Sequence, residues 1–177
     1  IASVPGAIIG KLLEAKAETV FRSPVLVAGT LFVFGLIILF FDKFGKKEKN
    51  LDRITWLDSL LIGFSQALAV IPGVSRSGST IAAGLSLKFK RADAARFSFL
   101  MSIPIIFGAG LVKIKHFHDG VTTPELAAGF LSATIFGFLA IKYLLRYLSS
   151  HDFKIFVWYR IGLAILILAV YFVRLGK

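Results

Sequence analysis

Residues Pro72–Thr80 read PGVSRSGST. Apolar runs flank them, LDSLLIGFSQALAVI at Leu57–Ile71 and IAAGLSLKF at Ile81–Phe89. One arginine, four hydroxyls and two glycines therefore interrupt a strongly apolar segment. Neither flank is long enough to cross a bilayer alone. The second arm, Gly78–Lys88, is about 16 Å long as a helix, roughly half of a ~30 Å hydrocarbon core. The first arm, Trp56–Ile71, is also short. A helix pair that runs to mid-membrane, turns, and leaves by the side on which it came in fits these lengths. Non-helical backbone is tolerated at that depth only inside protein or beside a water-filled cavity.

The rest of the chain suits such a setting. Of its 177 residues 56% are hydrophobic, and eighteen are Phe. The mean hydropathy is +0.80, a value that a water-soluble domain rarely reaches. The expected fold is an all-α integral membrane protein, a polytopic helical bundle. A single membrane domain covers residues 1–177, with a re-entrant hairpin at residues 55–89. Besides the two arms, the apolar stretches are Ile1–Leu13, Pro24–Phe41, Phe97–Val112, Glu125–Leu148 and Phe153–Val173. Pro104 predicts a kink. Thr122–Glu125, TTPE, reads as a helix start. Gly129, Ala133 and Gly137 place small side chains on one helix face, where another helix can approach. Ile1–Leu13 follows no Met and no basic signal region, so it reads as the tail of a helix whose N-terminal portion is absent.

The chain has no Cys, which rules out disulfides and thiolate metal sites. Its net charge of +11 lies in short loops between apolar runs, a juxtamembrane pattern rather than a nucleic-acid surface. With the pair leaving on its own side, twelve basic residues fall on one face and seven on the other. Lys43, Lys49, Lys88, Arg91 and Lys154 belong to the richer face, which is then cytoplasmic.

A charged Arg at the bilayer centre costs at least ~2.5–3.5 kcal/mol. A bound anion would offset that cost for Arg76, because guanidinium matches phosphate in a bidentate manner. Gly73 and Gly78 permit tight turns and close approach of backbone N–H groups to a ligand. Ser75, Ser77, Ser79 and Thr80 add hydroxyl donors, and the following helix aims its N-terminus at the same place. These residues predict an oxyanion site inside a membrane protein. The other reading is a structural one, with Arg76 paired to a buried acid and the serines capping a helix. Gln66, one and a half turns ahead of Pro72, either donates to phosphate or satisfies hairpin backbone.

The run GFSQALAVIPGVSRSGSTIAAGL resembles the signature of the undecaprenyl-diphosphate phosphatase family, also known for bacitracin resistance. Pro72, Gly73, Ser75, Arg76, Ser77 and Thr80 match its PGxSRSxxT motif in order. Gln66, FSFLMSIP at Phe97–Pro104 and YRI at Tyr159–Ile161 extend the match. The resemblance implies a bacterial inner-membrane enzyme that hydrolyses undecaprenyl diphosphate to undecaprenyl phosphate and phosphate, recycling the carrier lipid of cell-wall synthesis. It implies inverted repeats, each with a re-entrant hairpin, and a site that opens outward. Arg76, Ser75 and Ser77 are then catalytic, and Gly73, Gly78, Ser79, Thr80 and Gln66 bind substrate. The partners implied are undecaprenyl diphosphate and the bilayer, not nucleic acid; a homodimer is compatible with the resemblance. A divalent cation, Mg or Ca, is the cofactor it allows, without ligands identifiable in this chain. The family's first motif, a glutamate-rich run before a Pro-Ser-Ser-Thr-Gly-His type sequence, is not in the chain. The chain thus reads as a C-terminal portion lacking the first repeat, and the nucleophile or base is expected from elsewhere.

Other residues read more simply. Glu14 and Glu18 share a helix face, but LLEAKAETVF lacks the rest of the acidic motif and suits an interfacial helix end. His116, His118 and Asp119 fall short of a supported metal site and suit a solvated loop, and His151 is likewise interfacial. Arg160 either snorkels toward Lys154 or pairs with an acid or a carbonyl in the bundle. A polyprenyl-phosphate flippase or transporter using the same mid-membrane anion site is the alternative function. A lipid-phosphate phosphatase of another type would need a downstream His, and none lies in the stretch from Ser77 to Lys115 that follows Arg76.

Overall fold

The computed structural model describes residues 1–19, 23–113 and 123–176, with side chains from 14 to 19 and at 113 and 123 left aside. Glu14, Glu18, His116, His118, Asp119 and the cap position Thr122 therefore lie outside the described side chains. Among the described residues the fold is all helical. Helices α1 (Ser3–Thr19), α2 (Pro24–Phe44), α3 (Trp56–Ala67), α4 (Arg76–Ser86), α5 (Arg91–Lys113), α6 (Thr123–Leu148) and α7 (Lys154–Leu175) follow in order, with 3-10 turns at Leu51–Arg53 and Leu68–Val70. Four of them, α2, α5, α6 and α7, are long and apolar enough to cross a membrane. Helix α1 extends past the expected end at Leu13, because the polar LLEAKAET segment has good intrinsic helix formers. Pro104 sits inside α5, which keeps its helical assignment on both sides.

The outer surfaces are apolar. Phe130, Phe136 and Phe138 on α6 are each well exposed, as are Leu166 and Phe172 on α7. Such continuous apolar faces would be unfavourable in water and suit lipid. No described residue approaches the Gly129 and Gly137 faces of α6.

The core gathers around α4. Ile38 from α2, Ile62 from α3, Ile81, Ala82 and Leu85 from α4, Ala94 and Met101 from α5 and Val157 from α7 form one buried cluster. Small residues set the spacing. A Cβ at Gly84 would stand 2.9 Å from the Ala94 Cβ, and a Cβ at Gly63 would strike the Ala2 carbonyl. Gly6 faces Gln66 and Gly10 faces Val70, so α1 runs beside α3 in the same direction.

Both arms around PGVSRSGST end at one segment. Thr55 and Asp58 form a capping box at the start of α3, and Asp58 is ion-paired with Lys49. The backbone of Lys49 bonds to the other arm's end: its N–H donates to the Lys88 carbonyl at 2.9 Å, and its carbonyl accepts from the Lys90 N–H at 3.0 Å. Lys88 itself adopts φ 70° as α4 stops. At the other end, the turn between the arms is held against α2. The Thr30 hydroxyl donates to the Pro72 carbonyl at 2.7 Å. Thr30 lies six residues into α2, about 9 Å along its axis. Gly73 has φ +86°, and a Cβ there would meet Thr30 Oγ1 and stand 2.6 Å from the Val27 carbonyl.

A side chain at Gly73 would thus be strained by its backbone and by its neighbours. Gly73→Ala is expected to cost about 2 kcal/mol or more and to lower the thermal midpoint by several degrees. Gly29→Ala, on the open side of the same helix α2, should leave the midpoint within a degree or raise it. Differential scanning of both purified variants checks this pair.

Candidate functional site

The site grows from the start of α4. Ser75 is the N-cap, with extended backbone, and its Oγ accepts from the Gly78 N–H at 3.1 Å. Substituting such a cap typically costs ~1 kcal/mol. The Ser77 hydroxyl lies 3.2 Å from Ser75 Oγ. Arg76 takes the first helical position. The remaining first-turn amides have no carbonyl partner within the helix, so the positive end of α4 faces the tip.

The four hydroxyls divide into two sets. Ser75 and Ser77 line a cavity of about 220 Å³ together with Gly78 and Arg160. Its other walls are apolar, among them Ile38, Phe99, Leu144 and Phe156. Ser79 and Thr80 face the packed side. Ser79 Oγ donates to the Arg76 carbonyl at 3.0 Å, and Thr80 Oγ1 to the same carbonyl at 2.9 Å. Thr80 also meets Ser98 at 2.7 Å between α4 and α5. These two hydroxyls stabilise the first turn of α4 and its seat on α5.

Arg76 is half-buried and does not line the cavity that holds Ser75 and Ser77. Successive helical residues point about 100° apart, so the cap and the first helical position look different ways. Its Nη1 is buried without a hydrogen-bond partner among the described residues. No described carboxylate pairs with it: among the described residues Lys49 pairs with Asp58, Arg91 with Asp42 and Lys154 with Asp152. Gln66 shows the same deficit. It is 5% exposed, beside Gly6, and both its amide O and N lack partners. An unpartnered buried polar group costs ~1–3 kcal/mol, more when charged.

Arg160 resolves differently. Its Nη2 donates to the Gly73 carbonyl at 3.0 Å and its Nε to the Leu31 carbonyl at 3.4 Å. Of the two sequence alternatives, pairing with a carbonyl in the bundle is the one found. This second guanidinium joins α7 to the tip and faces the cavity with Ser75. The sequence shows it only as an Arg two turns inside an apolar helix; that it reaches Gly73 needed the packing of α2 on α7.

The paired carboxylates among the described residues stand away from the tip. Asp42, near the other end of α2, accepts from Arg91 Nε at 2.5 Å and from the Phe153 N–H at 3.0 Å. Asp58 is held by Lys49 and Thr55 at the start of α3. His151 is exposed, stacked on Tyr147 with ring centroids 4.3 Å apart, next to Asp152. No three His, Asp or Glu side chains among the described residues form a metal-binding group. Among the described residues no carboxylate stands at the tip beside Arg76.

The chain is similar to known proteins along nearly its whole length. It is 51% identical over 174 residues to the undecaprenyl-diphosphatase of Moorella thermoacetica, covering 98% of this chain and 67% of that protein. For the undecaprenyl-diphosphatases of Pelotomaculum thermopropionicum and Elusimicrobium minutum the identities are 49% and 48%, over 96% and 95% of this chain. The matched regions are 65% and 64% of those proteins. The chain thus spans about two thirds of the length of the curated relatives it matches. Residues 1–166, which include the capped start of α4 and the Arg160 tie, match the family described as bacitracin resistance protein BacA. A chain matched over that range, with the PGVSRSGST turn inside it, belongs to the BacA family.

Proposed function

We propose that this chain supplies the diphosphate-binding part of an undecaprenyl-diphosphatase. The observation that carries the reading is Arg76, fixed at the N-terminus of α4 with a buried Nη1 that has no partner, and no carboxylate beside it, among the described residues. A guanidinium so placed has a strong need for an anion. The names of the relatives supply the substrate. In the reaction, water adds to the terminal phosphorus and the anhydride P–O bond breaks. Undecaprenyl phosphate departs, and inorganic phosphate is the second product. Arg76 binds the phosphoryl oxygens and stabilises the charge that builds on them in the transition state. Ser75 and Ser77 face the neighbouring cavity with Arg160 rather than the Arg76 guanidinium, so they meet the headgroup from that side, and the first-turn amides of α4 add their dipoles. Gln66, whose amide has no partner among the described residues, donates its N–H groups to the substrate. The group that activates the nucleophile comes from the rest of the whole protein.

The arms Trp56–Ala67 and Arg76–Ser86 form a re-entrant hairpin in this reading, part of an inverted-repeat architecture. Support comes from the shared contact of both arm ends with Lys49 and from the seat of the turn on Thr30. The richer basic face is cytoplasmic, the membrane is the bacterial inner membrane, and the site opens outward.

Two experiments test this. Phosphate release from undecaprenyl diphosphate by the whole protein should fall at least about 100-fold in Arg76→Ala, with partial recovery in Arg76→Lys. Normal turnover in Arg76→Ala, or transport of the lipid without hydrolysis, would sink the assignment. The chain has no Cys, so single thiols report topology cleanly. Arg53→Cys and Lys90→Cys, both exposed, should react with a membrane-impermeant maleimide from the same side of oriented vesicles. Labelling from opposite sides would remove the hairpin.

A further inference from the structure

A second polar cavity, of about 450 Å³, lies at the opposite end of the bundle from the tip. Lys43 and Lys47 at the end of α2, Arg91 at the start of α5, and Lys154 at the start of α7 line it, with Asp42 and Asp152. Four cations thus meet two carboxylates, and both carboxylates are already engaged. Asp42 is 3% exposed and accepts from Arg91 and from the Phe153 amide. Asp152 pairs with Lys154 at 2.7 Å, and that hydrogen bond holds its carboxyl below the usual carboxylate range. Lys47 donates to the Asp42 and Gly45 carbonyls at 2.5 and 2.7 Å, which engages two of its three protons without cancelling its charge. Lys43 has no carboxylate partner among the described residues; its Nζ lies 5.3 Å from the Phe44 ring centroid. Two positive charges therefore stand uncompensated in one cleft.

The cleft also has an apolar side. Leu39 and Trp158 complete its lining, and Trp158 is 66% exposed on α7. An exposed Trp beside a basic cluster at the end of spanning helices marks the membrane–water boundary. Basic pockets between transmembrane helices are suited to anionic lipid headgroups.

We propose that this cleft binds the phosphate headgroup of an anionic phospholipid in the leaflet on the basic side. Lys43 and Lys47 neutralise the phosphate, and the acyl chains run down the Leu39 and Trp158 walls. Free phosphate shares the charge but would gain nothing from those walls. The site is independent of the hydrolytic reading, since none of its residues belongs to the tip.

The test is native mass spectrometry, with thermal unfolding in parallel, on the purified protein in a neutral detergent. The probes are phosphatidylglycerol, phosphatidylcholine and inorganic phosphate. Phosphatidylglycerol is expected to be retained and to raise the unfolding midpoint, well above the other two. Lys43→Gln, and Lys43→Gln combined with Lys47→Gln, should each weaken its retention, the pair by about tenfold. Lys47 also holds the end of α2, so Lys43→Gln alone decides the matter if the double variant does not fold. Lys46→Gln, on the same face outside the cleft, should retain the lipid normally. Equal retention of the two lipids, an unaltered Lys43→Gln, or an equal loss in Lys46→Gln would overturn the proposal. Stabilisation by inorganic phosphate equal to that by phosphatidylglycerol would overturn the lipid assignment.

Discussion

The unwound backbone between α3 and α4 dictates much of the surrounding structure. The Leu68 and Ile71 carbonyls accept from the Ile71 and Val74 N–H groups within the turn, but those of Pro72 and Gly73 have no such donor, and within an apolar bundle no bulk water replaces one. Two side chains from other helices meet this demand. Thr30 on α2 donates to Pro72, and Arg160 on α7 donates to Gly73. Helices α2 and α7 must therefore pack beside the turn, and Gly73 must keep its positive φ and its bare Cα. An arginine deep in α7 follows from this need; it requires no acidic partner, because its hydrogen bonds go to carbonyl dipoles.

The bundle separates its charges along its length. Asp42, Asp58 and Asp152 lie at the end where α2 and α4 finish and α3 and α7 begin, each paired with a cation. The tip has guanidinium groups and a helix N-terminus but no described carboxylate. Low dielectric magnifies both situations. Pairing satisfies these three carboxylates, whereas the tip keeps a guanidinium nitrogen without a partner among the described residues. The hydroxyls follow the same division, with Ser79 and Thr80 serving the backbone of α4 and Ser75 and Ser77 facing the cavity.

The sequence made the helices legible because apolar runs of about twenty residues leave few alternatives in lipid. The short arms were readable from length, and the cap at Ser75 from residue type. Other features depended on long-range packing. Nothing local distinguishes Ser75 and Ser77 from Ser79 and Thr80 in a run of hydroxyls; the helical phase that turns the latter toward α5 and the Arg76 carbonyl does so only once α4 is placed. The separation of Arg76 from the serine-lined cavity has the same origin. The spanning length of α6 was legible, but its small-residue face, read as a place where another helix approaches, meets no described neighbour at Gly129 and Gly137.

The most direct measurement is the affinity of the whole protein for a methylene-bridged polyprenyl diphosphonate, which cannot be hydrolysed, compared between the native protein and Arg76→Gln. Binding separates anion recognition from the nucleophile contributed by the rest of the protein. The account predicts at least a tenfold weaker complex for Arg76→Gln, with the thermal midpoint of the unliganded variant unchanged or raised, because an unpartnered buried charge has been removed. Equal affinity of the two proteins for the diphosphonate would contradict it.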